Sequence, residues 1–188
     1  MLELLPLRQR LHRPRGRTRS APKLGRANYD AASEGCPAPA PSYSGSQDTP
    51  SRPIRILLAE DNPADVYLVR EALREQDLEF GLDVVEDGEK AFQYLERAEA
   101  DRSRPCPDLF IVDLNMPKRS GTAFLKRIRQ SDLCGSTPVV ILTSSDSPRD
   151  RQETLELGAS RYIRKPSDFD AFLRVGGEIL EVWRRSQN

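Results

Sequence analysis

"ILLAEDNPAD", Ile56 to Asp65, sets four apolar residues directly against two adjacent carboxylates, Glu60 and Asp61. An amide, a proline and another acid follow. A turn after a buried strand needs one polar side chain, and Asp61 or Asn62 would serve there as a helix cap. Two neighbouring acids ask for more, because each raises the other's proton affinity unless a cation offsets the charge. ILLA is apolar at every position rather than at alternate ones, which reads as a parallel strand covered on both faces. Pro63 then falls where a first helical turn accepts it, with Val66, Val69 and Leu73 at helical spacing behind it.

The same strand-then-helix unit repeats down the chain. "LDVVED" reads as a second strand and "GEKAFQYLERAEA" as a helix with Ala91, Phe92 and Leu95 on one face. "DLFIVDL", Asp108 to Leu114, is the third strand, followed by a helix from about Gly121 to Gln130. "PVVILTS" is the fourth, with a helix near Arg149 to Leu157 that Gly158 can end. "SRYIRK" is the fifth, and "SDFDAFLRVGGEILEVWRR" the last helix, its middle weakened by Gly176 and Gly177. In that helix Phe172, Val175, Ile179 and Val182 fall at helical spacings.

This alternation predicts an α/β fold: a flavodoxin-like, doubly wound, five-stranded parallel sheet in order 2-1-3-4-5. Such a sheet brings the ends of strands 1 and 3 together at its switch point, where ligands bind. Glu60, Asp61 and Asp113 would meet there. Three carboxylates in one crevice call for a divalent cation. "EDNPAD" contains no glycine, which argues against a dinucleotide fingerprint or a phosphate loop. Mg²⁺ fits better, since it takes few protein ligands, keeps several waters and leaves room for a phosphate.

The chain has 188 residues with 29 basic and 29 acidic side chains, so its total charge says little and its distribution more. Residues 1–26 hold eight Lys or Arg against one acid, Glu3, whereas residues 51–188 carry a net of -4. Eight of the fifteen prolines fall at or before Pro53, and "APAPSYSGSQDTPSRP" has a linker composition that cannot repay its own ordering. Residues 1–50 are therefore expected to be a disordered, basic, Pro-rich leader, and residues 51–188 one domain with a single core. No apolar run reaches membrane-spanning length, and the leucines of the leader precede its arginines, the wrong order for a secretory signal. Cys36, Cys106 and Cys134 are odd in number and match no metal spacing, so a reducing, cytoplasmic setting is the simplest fit.

Taken together these residues resemble the receiver domain of bacterial two-component response regulators, from about Ile54 to Trp183. Glu60 and Asp61 match the family's acidic pair, Asp113 in "VDLNMP" its phosphoacceptor, Thr143 in "ILTSS" its hydroxyl residue and Lys165 in "YIRKP" its lysine. The last helix, ending "EILEVW", is also similar to that of the small stand-alone regulators paired with bacterial phytochromes.

The resemblance implies that Asp113 takes a phosphoryl group from a sensor histidine kinase, a bacteriophytochrome being one candidate. Asp61, Asp113 and the backbone carbonyl of Asn115 would hold Mg²⁺, with Glu60 acting through bound water. Asp113, Thr143 and Lys165 would form the catalytic set, and Thr143 and Tyr162 the switch. The family's Lys–Pro bond is usually cis, which is the expectation for Lys165–Pro166. "NMPKRSG" departs from many relatives in having Ser120 where an Asp precedes the glycine, and it adds positive charge at Lys118 and Arg119. No classical enzyme with a diffusible product is expected, only catalysis of the protein's own phosphorylation and dephosphorylation.

With only "RRSQN" after Trp183, output is expected to pass through another protein, a further phosphotransfer or a homodimer, on the face formed by helix 4, strand 5 and helix 5. No membrane partner is expected. The alternative is an adaptor whose arginine-rich leader binds nucleic acid through salt-dependent backbone contacts.

Overall fold

Strands and helices alternate throughout the computed structural model, which describes residues 52–101, 103 and 105–188. β1 (Ile54–Ala59), α1 (Pro63–Arg74), β2 (Phe80–Val85), α2 (Gly88–Ala100) and β3 (Leu109–Val112) are followed by α3 (Gly121–Arg129), β4 (Val139–Thr143), α4 (Pro148–Glu156), β5 (Arg161–Arg164) and α5 (Phe169–Ser186). The sheet order is β2-β1-β3-β4-β5, every pair parallel, as the alternation predicted. The leader expected over residues 1–50, with its disorder and its nucleic-acid role, lies outside the described residues.

The apolar run of β1 divides between two cores. Ile54, Ile56 and Leu58 join α1 and α5 on one face, through Val69, Leu73, Phe172, Val175 and Ile179, with Val182 half-buried against them. Leu57 and Ala59 join α2 and α3 on the other, through Ala91, Leu95, Phe124 and Ile128. Both faces of the strand are buried, so the sequence shows no alternation.

Helix starts follow their caps. Asn62, not Asp61, caps α1, its side chain accepting from the Ala64 N–H at 3.0 Å. Asp87, Ser120, Ser147 and Asp168 do the same for the other four helices. Gly158, at φ +92°, follows the end of α4.

Four local features depart from the sequence reading. β3 runs from Leu109 to Val112 rather than from Asp108 to Leu114; at its start the Asp108 carboxylate takes the Arg55 N–H at 2.9 Å and Arg52 at 2.7 Å. The Lys165–Pro166 bond is trans, so the cis expectation is corrected; the Lys165 N–H instead extends the ladder to the Thr143 carbonyl at 2.8 Å. Gly176 is a close-packing position rather than a weak point: a Cβ there would lie 1.9 Å from the Ala72 carbonyl oxygen of α1. Cys106 and Cys134, with Cα atoms 5.6 Å apart, form a disulfide between the segment before β3 and the α3–β4 connection. Neither the odd cysteine count nor a separation of 28 residues hinted at that pairing.

Candidate functional site

The sheet register delivers the predicted residues to one edge. Ala59 pairs with Val112 and Thr143 with Arg164, so the residues following these positions emerge together. Hydrogen bonding continues one step beyond the strands: the Asp113 N–H donates to the Ala59 carbonyl at 3.0 Å, and the Glu60 N–H to that of Val85 at 2.9 Å. The turn after Asp113 is held close by Gly121, whose N–H donates to Leu114 at 3.0 Å and whose missing Cβ would lie 2.0 Å from the Asp113 carbonyl oxygen. Only glycine fits there.

Lys165 is the cation at the centre. Its Nζ lies 2.6 Å from Glu60 Oε2, 2.7 Å from Asp113 Oδ2 and 2.8 Å from Asp65 Oδ2. Burial works against the ammonium, but the hydrogen bonds it donates to Asp113, Asp65 and Glu60 outweigh it and hold the Lys165 pKa above the usual lysine value. Glu60 is 1% exposed, and that desolvation raises its pKa although Lys165 pulls it down. Sequence reasoning grouped Lys165 with Asp113 and Thr143 and missed Asp65. The available signal was a third acid in "EDNPAD", placed by Pro63 in the first turn of α1 and so facing back toward the strand ends.

Asp61 differs from its neighbours. It is exposed, and its carboxylate has no hydrogen bond or ion pair among the described residues. One ligand oxygen from each of Glu60, Asp61 and Asp113 lies within 4.8 Å of the others. An all-oxygen set with one unpaired carboxylate at its mouth suits a hard cation such as Mg²⁺. Asn115 follows in the same turn, its N–H donating to Asp113 Oδ1 at 3.1 Å.

Comparison with known proteins agrees with this geometry. The family described as the response regulator receiver domain matches residues 56–175. The chain belongs to that family. It is similar to response regulator Rcp1 of a Synechocystis species, with 34% identity over 136 residues that cover 72% of this chain and 92% of the relative. Among solved structures it is similar to the phosphorylated cyanobacterial phytochrome response regulator RcpA, at TM-score 0.64 and 32% identity, covering 71% of this chain and 95% of that one. The Mn²⁺-bound form of Rcp1 matches at TM-score 0.63 and 32% identity, covering 70% and 94%.

Around the centre of this receiver domain, Thr143 is fully buried at the end of β4, and its hydroxyl oxygen accepts from the Ser145 N–H at 3.3 Å. Tyr162 is half-buried on β5 and donates its hydroxyl to the Ser145 carbonyl at 2.9 Å. The Ser145 residue is thus gripped by Thr143 on one side and Tyr162 on the other. On the opposite flank Lys118, in a left-handed turn at φ +67°, donates to the α2 cap Asp87 at 2.6 Å. That bond, and then the Lys90 N–H, hold the Asp87 carboxyl below the usual range. The charge added by "KR" is therefore tied to α2, with Arg119 pairing with Glu89 at 3.0 Å and lying over the Phe92 ring.

Proposed function

We propose that Asp113 accepts a phosphoryl group from a sensor histidine kinase in a Mg²⁺-dependent step, and that the change is read by a partner on the face formed by α4, β5 and α5. One observation carries this reading: a fixed ammonium lies 2.7 Å from Asp113 while an unpaired carboxylate, Asp61, stands in the same acidic cluster. In the transfer an Asp113 oxygen attacks the phosphorus, an O–P bond forms, and the P–N bond to the kinase imidazole breaks. Asp61, Asp113 and the Asn115 carbonyl would hold the metal, with Glu60 behind a water. When bound, Mg²⁺ supplies neutralisation of the transferring phosphoryl oxygens.

Lys165 then turns its ammonium from carboxylate to phosphoryl oxygen. Thr143 turns its hydroxyl the same way and draws in the loop that Ser145 begins. Tyr162, losing its hold on the Ser145 carbonyl, takes the vacated space and alters the outer face. Leu155 of α4 is exposed on the described surface, giving that face an apolar element for a partner protein or for a second copy of this chain. The likeness to phytochrome response regulators makes a bacteriophytochrome the candidate kinase, acting in the cytoplasm where ATP feeds it. No described helix is long and apolar enough to cross a membrane.

The test is phosphorylation of the full chain by acetyl phosphate or phosphoramidate with MgCl₂, followed by intact mass and peptide mapping. Wild type gains one phosphoryl group at Asp113, and Asp113→Asn gains none. Asp61→Asn binds Mg²⁺ more weakly in a direct titration. Modification at another residue, or none with either donor, overturns the proposal.

A further inference from the structure

Asp65 is the acid that the metal cluster does not include, yet it shares the ammonium on which the site turns. A lysine ammonium has three N–H donors. Here Glu60, Asp113 and Asp65 each lie within 2.8 Å of Nζ, so all three have an acceptor. Glu60 and Asp113 follow strands and would turn to a metal when one is bound. Asp65 sits on the third residue of α1, a helix fixed at its start by the Asn62 cap and along its length by the close approach of Gly176 to Ala72. It is a stationary anchor, partly exposed at 21% where Lys165 is at 8%.

We propose that Asp65 is a positioning residue that sets the balance between the resting and phosphorylated states by holding Lys165 back from the phosphoryl group. This rests on the reading of Asp113 as phosphoacceptor. Two effects act in the same direction. The Asp65 bond tethers the ammonium toward α1, so Lys165 reaches a phosphoryl oxygen with its freed donors only against that pull. The phosphoryl group, carrying roughly -1.5 to -2 charges by analogy with phosphoserine, also arrives beside a carboxylate that shares the same nitrogen with Asp113. Asp65 therefore weights the site toward its unphosphorylated form, and neutralising it frees the lysine and removes the repulsion.

Asp65→Asn tests this cleanly, because it keeps the shape and a carbonyl acceptor while removing the charge. The full chain, wild type and variants, is titrated with Mg²⁺ alone and then with beryllofluoride, a phosphoryl mimic, at saturating Mg²⁺, with binding followed by NMR. Asp65→Asn should bind beryllofluoride about three- to tenfold more tightly, the size expected from one charge removed at this range in a partly screened site. Its Mg²⁺ affinity should fall less than that of Asp61→Asn. Asp65→Glu, which retains the charge, should stay near wild type, an outcome that a purely helix-stabilising role for Asp65 would not produce. Should Asp65→Asn not fold, Asp65→Ser carries the same expectation.

Unchanged or weaker beryllofluoride binding by a folded, neutralised variant overturns the proposal. Loss of Mg²⁺ affinity equal to that of Asp61→Asn also overturns it, by making Asp65 a metal ligand. If wild type takes neither Mg²⁺ nor beryllofluoride, the phosphoacceptor reading itself falls first.

Discussion

Removing the Lys165 ammonium would leave Glu60 buried beside Asp113 with no cation to meet either charge. Lys165→Met keeps most of the side-chain volume, so its effect reports charge rather than packing. Breaking a buried pair costs about 3–5 kcal/mol, and the partial exposure of Asp65 puts this case near the lower figure. Mg²⁺ should recover part of that loss by giving the acids a different cation. Thermal melts with and without MgCl₂ check it; an identical fall in both would mean the ion does not bind among these acids. Glu60, Asp61, Asp113, Thr143 and Lys165 were legible in the sequence because each ends or directly follows a recognisable strand. Asp65 was not, since an acid in the first turn of a helix is ordinarily explained by the helix dipole alone. What gives it another role is a contact with Lys165, the residue after β5, which its place in the first turn of α1 allows but does not specify.

Where one element meets another, the two adjacent glycines of α5 make opposite predictions. Gly176→Ala forces a methyl group into the Ala72 carbonyl and should cost about 1–3 kcal/mol through separation of α1 and α5. Gly177→Ala meets only the end of the Gln76 side chain at 3.4 Å and should stabilise by up to about 1 kcal/mol through helix propensity. Chemical denaturation of both variants checks the contrast, and equal effects would remove the close-packing explanation. Helical spacing sets Gly176, four residues after Phe172 and three before Ile179, on the apolar face and Gly177 beside it, but the close approach to Ala72 depends on how α5 meets α1. By contrast, the assignment of ten elements in order was legible, since short apolar runs alternated with helical stripes along the whole of residues 54–188. Boundaries were less so, as at Asp108, which lies just before β3 with its side chain on the Arg55 N–H.

The α2–α3 contact carries a pH dependence. Glu99 accepts from Arg127 and from the Ser131 hydroxyl, and these bonds, the arginine first, hold its carboxyl below the usual range against the opposing effect of burial. A carboxyl depressed in the folded state stabilises fully above its unfolded value, about 4.3, and loses that contribution as pH falls through the folded value. Glu99→Gln should therefore cost about 1 kcal/mol at pH 7, discounted for side chains about a quarter exposed, and almost nothing near pH 2. A difference from wild type that stays constant down the pH range would show that the pair contributes shape, not charge.

The cysteine pair acts on the molecule as a unit. Linking Cys106 to Cys134 restricts the unfolded chain, an effect of about 2–4 kcal/mol for loops of this length, so reduction should lower Tm by roughly 6–12 °C. Melts in the presence and absence of a phosphine reductant measure it, with Cys134→Ser as the control that no longer responds. In a reducing compartment the lower figure is the working stability. The bond also has a topological consequence. β3, Asp113, the turn through Arg119 and all of α3 lie inside the covalent ring, while the other strands lie outside it. A protease that nicks the chain anywhere between the two cysteines therefore opens a circle rather than severing a thread, and the fragments should migrate as one band under denaturing conditions until the sulfurs are reduced.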